Sequence, residues 1–214
     1  MRIQPFTLGE GVTNTYVVYD YGKADEAHLI DAPDGITKAL GFIRKKGLTL
    51  THVLLTHAHF DHVMGLGEIR KEFPLVRIFV DKADDFFLRA KGEGNIELLN
   101  NGFPFMLSAF SPYLEALPSE YEFYDEKILS YDVIRTPGHT KGSVCLYDRK
   151  ENIIFSGDTI FKSSYGRTDF PGGSQSELFS SIKRLLKESD DNALVLPGHE
   201  ECTTIKDEKA FYGL

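Results

Sequence analysis

The densest chemistry in this chain is THAHFDH, residues 56–62. His57, His59, Asp61 and His62 crowd into seven positions of a chain that has seven histidines in all. Neutral imidazole and carboxylate are good ligands for divalent transition metals, and zinc, iron and manganese all accept them. Two histidines two apart in an extended loop can turn both rings to one side, so His57 and His59 can share one ion. Asp61 and His62 stand where a helix begins and can address a second ion nearby. Two ions need more donors than one loop holds, and three more residues occupy a recurrent setting. His139 follows DVIRTPG, Asp158 follows NIIFSG and His199 follows ALVLPG. Each is preceded by a glycine (Gly138, Gly157, Gly198), the residue that tolerates sharp turns and close backbone approach. His139 can complete the first site and His199 the second, while Asp158, with two oxygens, can bridge them. Two ions held in this way supply a bridging hydroxide as nucleophile at neutral pH. The catalytic expectation therefore falls on Asp61 and Asp158. Two divalent ions, two aspartates and one hydroxide leave about one positive charge, which favours an anionic substrate or a developing oxyanion.

These residues must be positioned by the elements around them. NTYVVYD at 14–20, EAHLIDAP at 26–33 and HVLLT at 52–56 are apolar, partly β-branched runs that predict strands, as does VRIFVD at 76–81. Residues 35–46 carry Ile36, Leu40 and Ile43 at helical spacing and stop at Gly47, and 62–73 has a helical pattern. Further strands are predicted at 132–136, 143–148, 152–156 and 193–196, and SELFSSIKRLLKE at 176–188 predicts an amphipathic helix. Alternating strands and helices indicate an α/β protein with sheet buried between helical layers. In such folds ligands collect at the carboxyl ends of strands, and all four donor groups follow a strand. If the strands share a sheet, the donors converge at one edge. His28 and His52 lie inside strands and read as structural. Cys145, in SVCLYD, reads as buried and inert, and Thr140 as a partner supporting His139. The aromatic stretch at 103–116 reads mainly as core packing, with a pocket lining as the alternative.

Composition bounds the rest. The chain has 214 residues, 42% hydrophobic and 26% charged, near the averages for globular proteins. No linker, repeat or low-complexity tract divides it, so residues 1–214 are expected to form a single domain. The net charge of −8 argues against nucleic-acid binding, which depends on phosphate neutralisation. No apolar run has transmembrane length. The first residues lack a signal-peptide layout, and Cys145 and Cys202 fit no disulfide framework, so a cytoplasmic location is expected.

THAHFDH resembles the HxHxDH motif of the metallo-β-lactamase superfamily. PGHTKGS at 137–143, SGDTIF at 156–161 and PGHE at 197–200 resemble its later metal motifs, in order. The resemblance implies an αββα four-layer sandwich with the metals at one edge of the sheets. It also implies His57, His59 and His139 at the first metal, Asp61, His62 and His199 at the second, and Asp158 between them. Zinc is the expected metal. Within the superfamily the chain is most similar to the glyoxalase II-like hydrolases, which cleave S-acyl glutathione thioesters. GRTDFPGG at 166–173 resembles a small bacterial subgroup of them. Their basic-x-tyrosine substrate pair appears here as Arg167-Thr168-Asp169, which makes Arg167 the candidate for binding a substrate carboxylate. GRTDF also resembles the persulfide dioxygenases, which use one iron in the same fold. The expected function is thioester hydrolysis on a small-molecule substrate. The alternatives are the dioxygenase, or a hydrolase of another ester, a lactone or a phosphoester.

Overall fold

The computed structural model describes all 214 residues, Met1–Leu214. It contains two six-stranded sheets. The first runs in sequence order through β1 (Arg2–Leu8), β2 (Thr13–Tyr19), β3 (Glu26–Ile30), β4 (Thr49–Leu54), β5 (Arg77–Val80) and β6 (Glu122–Phe123). The second contains β7 (Lys127–Ile128), β8 (Tyr131–Arg135), β9 (Val144–Asp148), β10 (Ile153–Gly157), β11 (Leu194–Pro197) and β12 (Thr203–Thr204), arranged from β12 to β7. The connecting helices are α1 (Thr37–Lys45), α2 (Phe60–Val63), α3 (Leu66–Glu72), α4 (Asp85–Gly102), α5 (Leu107–Glu115), α6 (Gln175–Glu188) and α7 (Ile205–Tyr212).

The layer order follows from the two-residue period of the strands. Val17, Leu29 and Val53 face a core shared with α1 to α5, whereas their neighbours Val18, Ile30 and Leu54 face the second sheet. In the second sheet Leu146 and Phe155 point back to that middle core. Cys145 and Ile154 point outward onto Leu178, Ile182, Leu185 and Leu186 of α6. Both faces of each sheet are covered, so the strands read as apolar runs rather than as alternation. The order is therefore helices, sheet, sheet, helices: the expected αββα sandwich. No helix is long and apolar enough to cross a membrane.

Most predicted elements appear within a residue or two. One prediction is altered: the single helix expected over 62–73 is two helices, α2 and α3, broken at Met64 and Gly65. The backbone after β3 causes the break. Ala32 N–H donates to His62 O (2.8 Å) and Gly65 N–H donates to Ala32 O (2.7 Å). A Cβ on Gly65 would collide with Pro33 O. Strand β1 and helices α4, α5 and α7 carried no clear period in the sequence. His28 and His52 are structural as expected. His28 is buried against the Tyr131 hydroxyl (2.7 Å), and His52 stacks on Phe79.

Candidate metal centre

The donors do not come from one sheet. His57, His59, Asp61 and His62 follow β4 of the first sheet, while His139, Asp158 and His199 follow β8, β10 and β11 of the second. They still meet, because strands β8, β10 and β11 run in the same direction and end at the edge where β4 ends. Hydrogen bonds across the gap fix that edge. Val144 N–H donates to Thr56 O (2.8 Å), Asn14 N–H to Gly198 O (2.7 Å), and the Tyr16 hydroxyl to Pro197 O (2.7 Å). The glycines before the donors allow the closeness. A Cβ on Gly198 would collide with Asp158 Oδ1 and sit 2.8 Å from His62 Cε1. Gly138, at φ +140°, has the Leu178 backbone where a Cβ would go.

All seven predicted donors converge. Ligand atoms of His57, His59 and His139 lie within 4.8 Å of one another, as do those of Asp61, His62 and His199, and those of His57, His62 and Asp158. Asp158 Oδ1 is 3.4 Å from His62 Nε2, and Asp158 Oδ2 is 3.3 Å from His199 Nε2 and 3.5 Å from His139 Nε2. Its carboxylate thus spans the two groups.

The partners of the rings show which nitrogen each aims inward. A carbonyl or carboxylate can only accept, so the ring nitrogen bonded to it carries the proton. His139 Nδ1 donates to Arg167 O (2.6 Å), His62 Nδ1 to Asp31 Oδ2 (2.9 Å) and His199 Nδ1 to Val12 O (3.3 Å). Thr56 Oγ1 gives its proton to Asp31 Oδ2 (2.8 Å) and so accepts from His57 Nδ1 (3.2 Å). In the neutral rings of His57, His62, His139 and His199 the Nε2 lone pair therefore points into the centre. His59 turns Nδ1 there instead, 2.9 Å from His139 Nε2, and its buried Nε2 has no partner. Buried Asp158 Oδ1 likewise has no hydrogen-bond partner. Converging lone pairs and carboxylates repel one another unless a cation lies between them, so this donor set fits metal ions.

The electrostatics say the same. Burial holds His57 and His59 well below the usual imidazole range and also lowers His139. Burial opposes charge on His62 and His199 too, yet Asp158 and Asp61 outweigh it. They raise His62 to about 9 and His199 to about 11. Burial works against ionising Asp61, but His62 and His199 bring it down to about 2, and the same pair takes Asp158 well below the carboxylate range. Without a metal, the two aspartates hold protons on the two histidines, which is a demand for positive charge at this point.

Two supporting aspartates were not found by sequence reasoning. Asp31 accepts from Thr56 N–H (2.8 Å), Thr56 Oγ1 and His62 Nδ1. Its signal was an acidic residue closing the buried run HLID. Asp84 accepts from Ala58 N–H (3.0 Å), Thr140 Oγ1 (2.8 Å) and Gly142 N–H (2.7 Å), which joins the His57/His59 loop to the His139 loop. Nothing in KADD announces it. Thr140 thus supports His139 through Asp84 rather than by touching the ring. Cys145 is buried, and burial raises its thiol to about 11, so it is inert as expected.

The centre opens into a pocket of about 430 Å3. The aromatic stretch at 103–116 has both of the roles considered: Phe103 and Met106 line this pocket, while Phe110 and Leu114 lie in the core. Arg167 also reaches the pocket, with its fork bonded to Asp169.

The profile of the metallo-beta-lactamase superfamily matches residues 8–199, which spans every donor but none of the last 15 residues. The chain belongs to the metallo-beta-lactamase superfamily. Its structure superposes on the B3 metallo-beta-lactamase BLEG-1 with a TM-score of 0.83 at 31% identity, over 98% of this chain and 97% of that one. On TTHA1623 in a di-iron-bound form the TM-score is 0.81 at 30% identity, over 96% of both chains. Hydroxyacylglutathione hydrolase GloC of Haemophilus influenzae is 29% identical over 98% of this chain and 95% of its own length. The protein is a metallo-hydrolase of this superfamily, and its histidine and aspartate cluster suits divalent metal ions.

Proposed function

We propose that the protein is a dinuclear metal-dependent hydrolase of acyl thioesters. The observation that carries this reading is the seven-donor centre with Asp158 facing both three-residue groups. His57, His59 and His139 would hold one ion, and Asp61, His62 and His199 the other. When bound, two such ions supply a water-derived nucleophile at neutral pH and polarise the substrate carbonyl. The histidine and carboxylate donors accept zinc or iron, and the likeness to a protein with a di-iron-bound form supports iron beside zinc.

The chain's own residues do the rest. Asp31, Thr56 and the Arg167 carbonyl hold the rings in the tautomer that aims Nε2 inward. Asp84 keeps the two ligand loops in register. Phe60, Phe103 and Phe170 give the pocket an apolar side next to the centre. The leaving group is inferred from what the pocket lacks. Outside the seven donors, its only ionisable lining residues are Glu10, which is exposed, and Arg167. Arg167 keeps its proton and cannot serve as an acid. A thiolate leaves without protonation, whereas an amine or alkoxide needs a nearby acid. The likeness to a hydroxyacylglutathione hydrolase supports the same choice.

The test is a thioester panel run anaerobically, including S-lactoylglutathione, with free thiol as the readout. Thiol should appear with no oxygen uptake. The ferrous protein given glutathione persulfide in air should form little sulfite. Strong oxygen consumption with persulfide, together with no thiol from any thioester, would make the protein a dioxygenase instead.

A further inference from the structure

One wall of the pocket is apolar from the metal ligands outward. The Phe170 ring stands edge-on to His59 (centroids 5.7 Å apart), and Phe103 packs on Phe170 at 5.8 Å and on Phe60 at 6.4 Å. Met106 lines the pocket beside them. The one cation on this wall is already engaged. Arg167 lies over the Phe170 ring, 3.9 Å from its centroid, and both its Nε and its Nη2 donate to the Asp169 carboxylate at 2.7 and 2.6 Å. This takes up one of the two bidentate edges of the guanidinium and neutralises its charge. A carboxylate reaching Arg167 would have to compete with Asp169 for it, and the exposed Glu10 that also lines the pocket adds like charge. No other lysine or arginine lines the pocket.

We propose that the substrate presents an uncharged, apolar group to this wall, namely the acyl chain next to the scissile thioester. The inference rests on the thioesterase reading above. An apolar chain gains by leaving water in proportion to the area it buries, and flexible Met106 can adapt to its shape. A carboxylate at the same place loses its hydration and finds only a guanidinium already neutralised by Asp169. The pocket volume lies within the range of small-ligand sites. The positive charge of the metal centre then serves the reacting carbonyl and not a remote carboxylate.

The experiment uses the metal-loaded full chain and three thioesters: S-hexanoyl-N-acetylcysteamine, its analogue with a carboxylate at the acyl end, and S-hexanoylglutathione. The hexanoyl-N-acetylcysteamine ester should exceed the acyl-carboxylate analogue by about tenfold or more in kcat/KM, since that carboxylate would give up its hydration against an apolar wall whose one cation is already paired with Asp169. Asp169→Asn should narrow this gap by freeing the Arg167 fork, and Phe103→Ala should lower the preference for hexanoyl over acetyl. The glutathione ester shows whether a charged carrier is also penalised. A penalty on that side alone, with none on the acyl side, overturns the placement of the acyl chain. Equal or better turnover of the acyl-carboxylate ester overturns the proposal outright. Calorimetry with non-hydrolysable S-hexyl and S-(5-carboxypentyl) thioethers keeps the two readings separate. If no thioester is cleaved but the S-hexyl thioether binds more tightly, the thioesterase reading fails and the apolar wall stands. If the carboxypentyl thioether binds as tightly, the apolar wall fails.

Discussion

Asp84 is the residue whose replacement reads out most about how the centre is held. It is fully buried and accepts three hydrogen bonds: Ala58 N–H and Thr140 Oγ1 at Oδ2, and Gly142 N–H at Oδ1. Asp84→Asn can keep its oxygen at the Oδ2 position and turn its amide toward Gly142, losing one bond. Asp84→Ala loses all three. Both variants lack the buried charge, so the charge drops out of their difference, and what remains is two donors stranded in one variant and satisfied in the other. A stranded buried donor costs about 1–3 kcal/mol, so the alanine variant should be less stable than the asparagine variant by about 2–6 kcal/mol. Thr140 can turn its hydroxyl to Ser143 Oγ, 2.8 Å away, which favours the lower half of that range. The charge itself appears in the pH dependence. Burial raises Asp84 from 3.8 to about 6, although its three hydrogen bonds work the other way. An acid whose pKa is higher folded than unfolded binds more protons when folded, so its contribution to stability is full below 3.8 and falls as pH rises to about 6. Wild type should therefore lose stability relative to Asp84→Asn across that window, by about 3 kcal/mol at most. The assay is denaturant unfolding of chelator-treated protein at several pH values between about 4 and 7, followed by circular dichroism. Equal stability of the two variants, or a wild-type-to-asparagine difference that stays flat with pH, would refute the account of Asp84 as a buried, charged clamp.

Three other outcomes are expected. The metal-saturated protein should hold two divalent transition ions per chain by elemental analysis, and saturation at one ion would end the dinuclear reading. Asp158→Ala should abolish turnover and lower metal content, because its carboxylate spans both donor groups, while His52→Ala should stay near wild type in activity. Substantial activity in Asp158→Ala would contradict the bridging role. Gly198→Ala should fold yet lose about 100-fold in kcat, since its Cβ displaces the Asp158 carboxylate and presses on His62. Unchanged kcat there would mean that the centre tolerates such a shift.

The donor set was legible in the sequence because it is local chemistry: imidazoles and carboxylates placed directly after apolar runs, three of them behind a glycine. The four layers were implied by a family resemblance and not by the pattern itself, because strands buried on both faces lose the alternation that would assign each face. Folding decided that the donors come from two sheets and not one, since sheet membership depends on pairings between distant segments such as β10 with β11. It also decided the supporting residues. Asp84 follows no strand that looks functional, and only the approach of residues 58 and 140 to it, from 26 and 56 positions away, gives it a role. The setting of Arg167 is local by contrast: its sequence position made it the candidate for binding a substrate carboxylate, and the turn of the loop brings Asp169, two residues on, onto its fork beside the pocket. Residue type and spacing thus determined what chemistry the chain can do. Contacts between residues far apart in sequence determined how that chemistry is held.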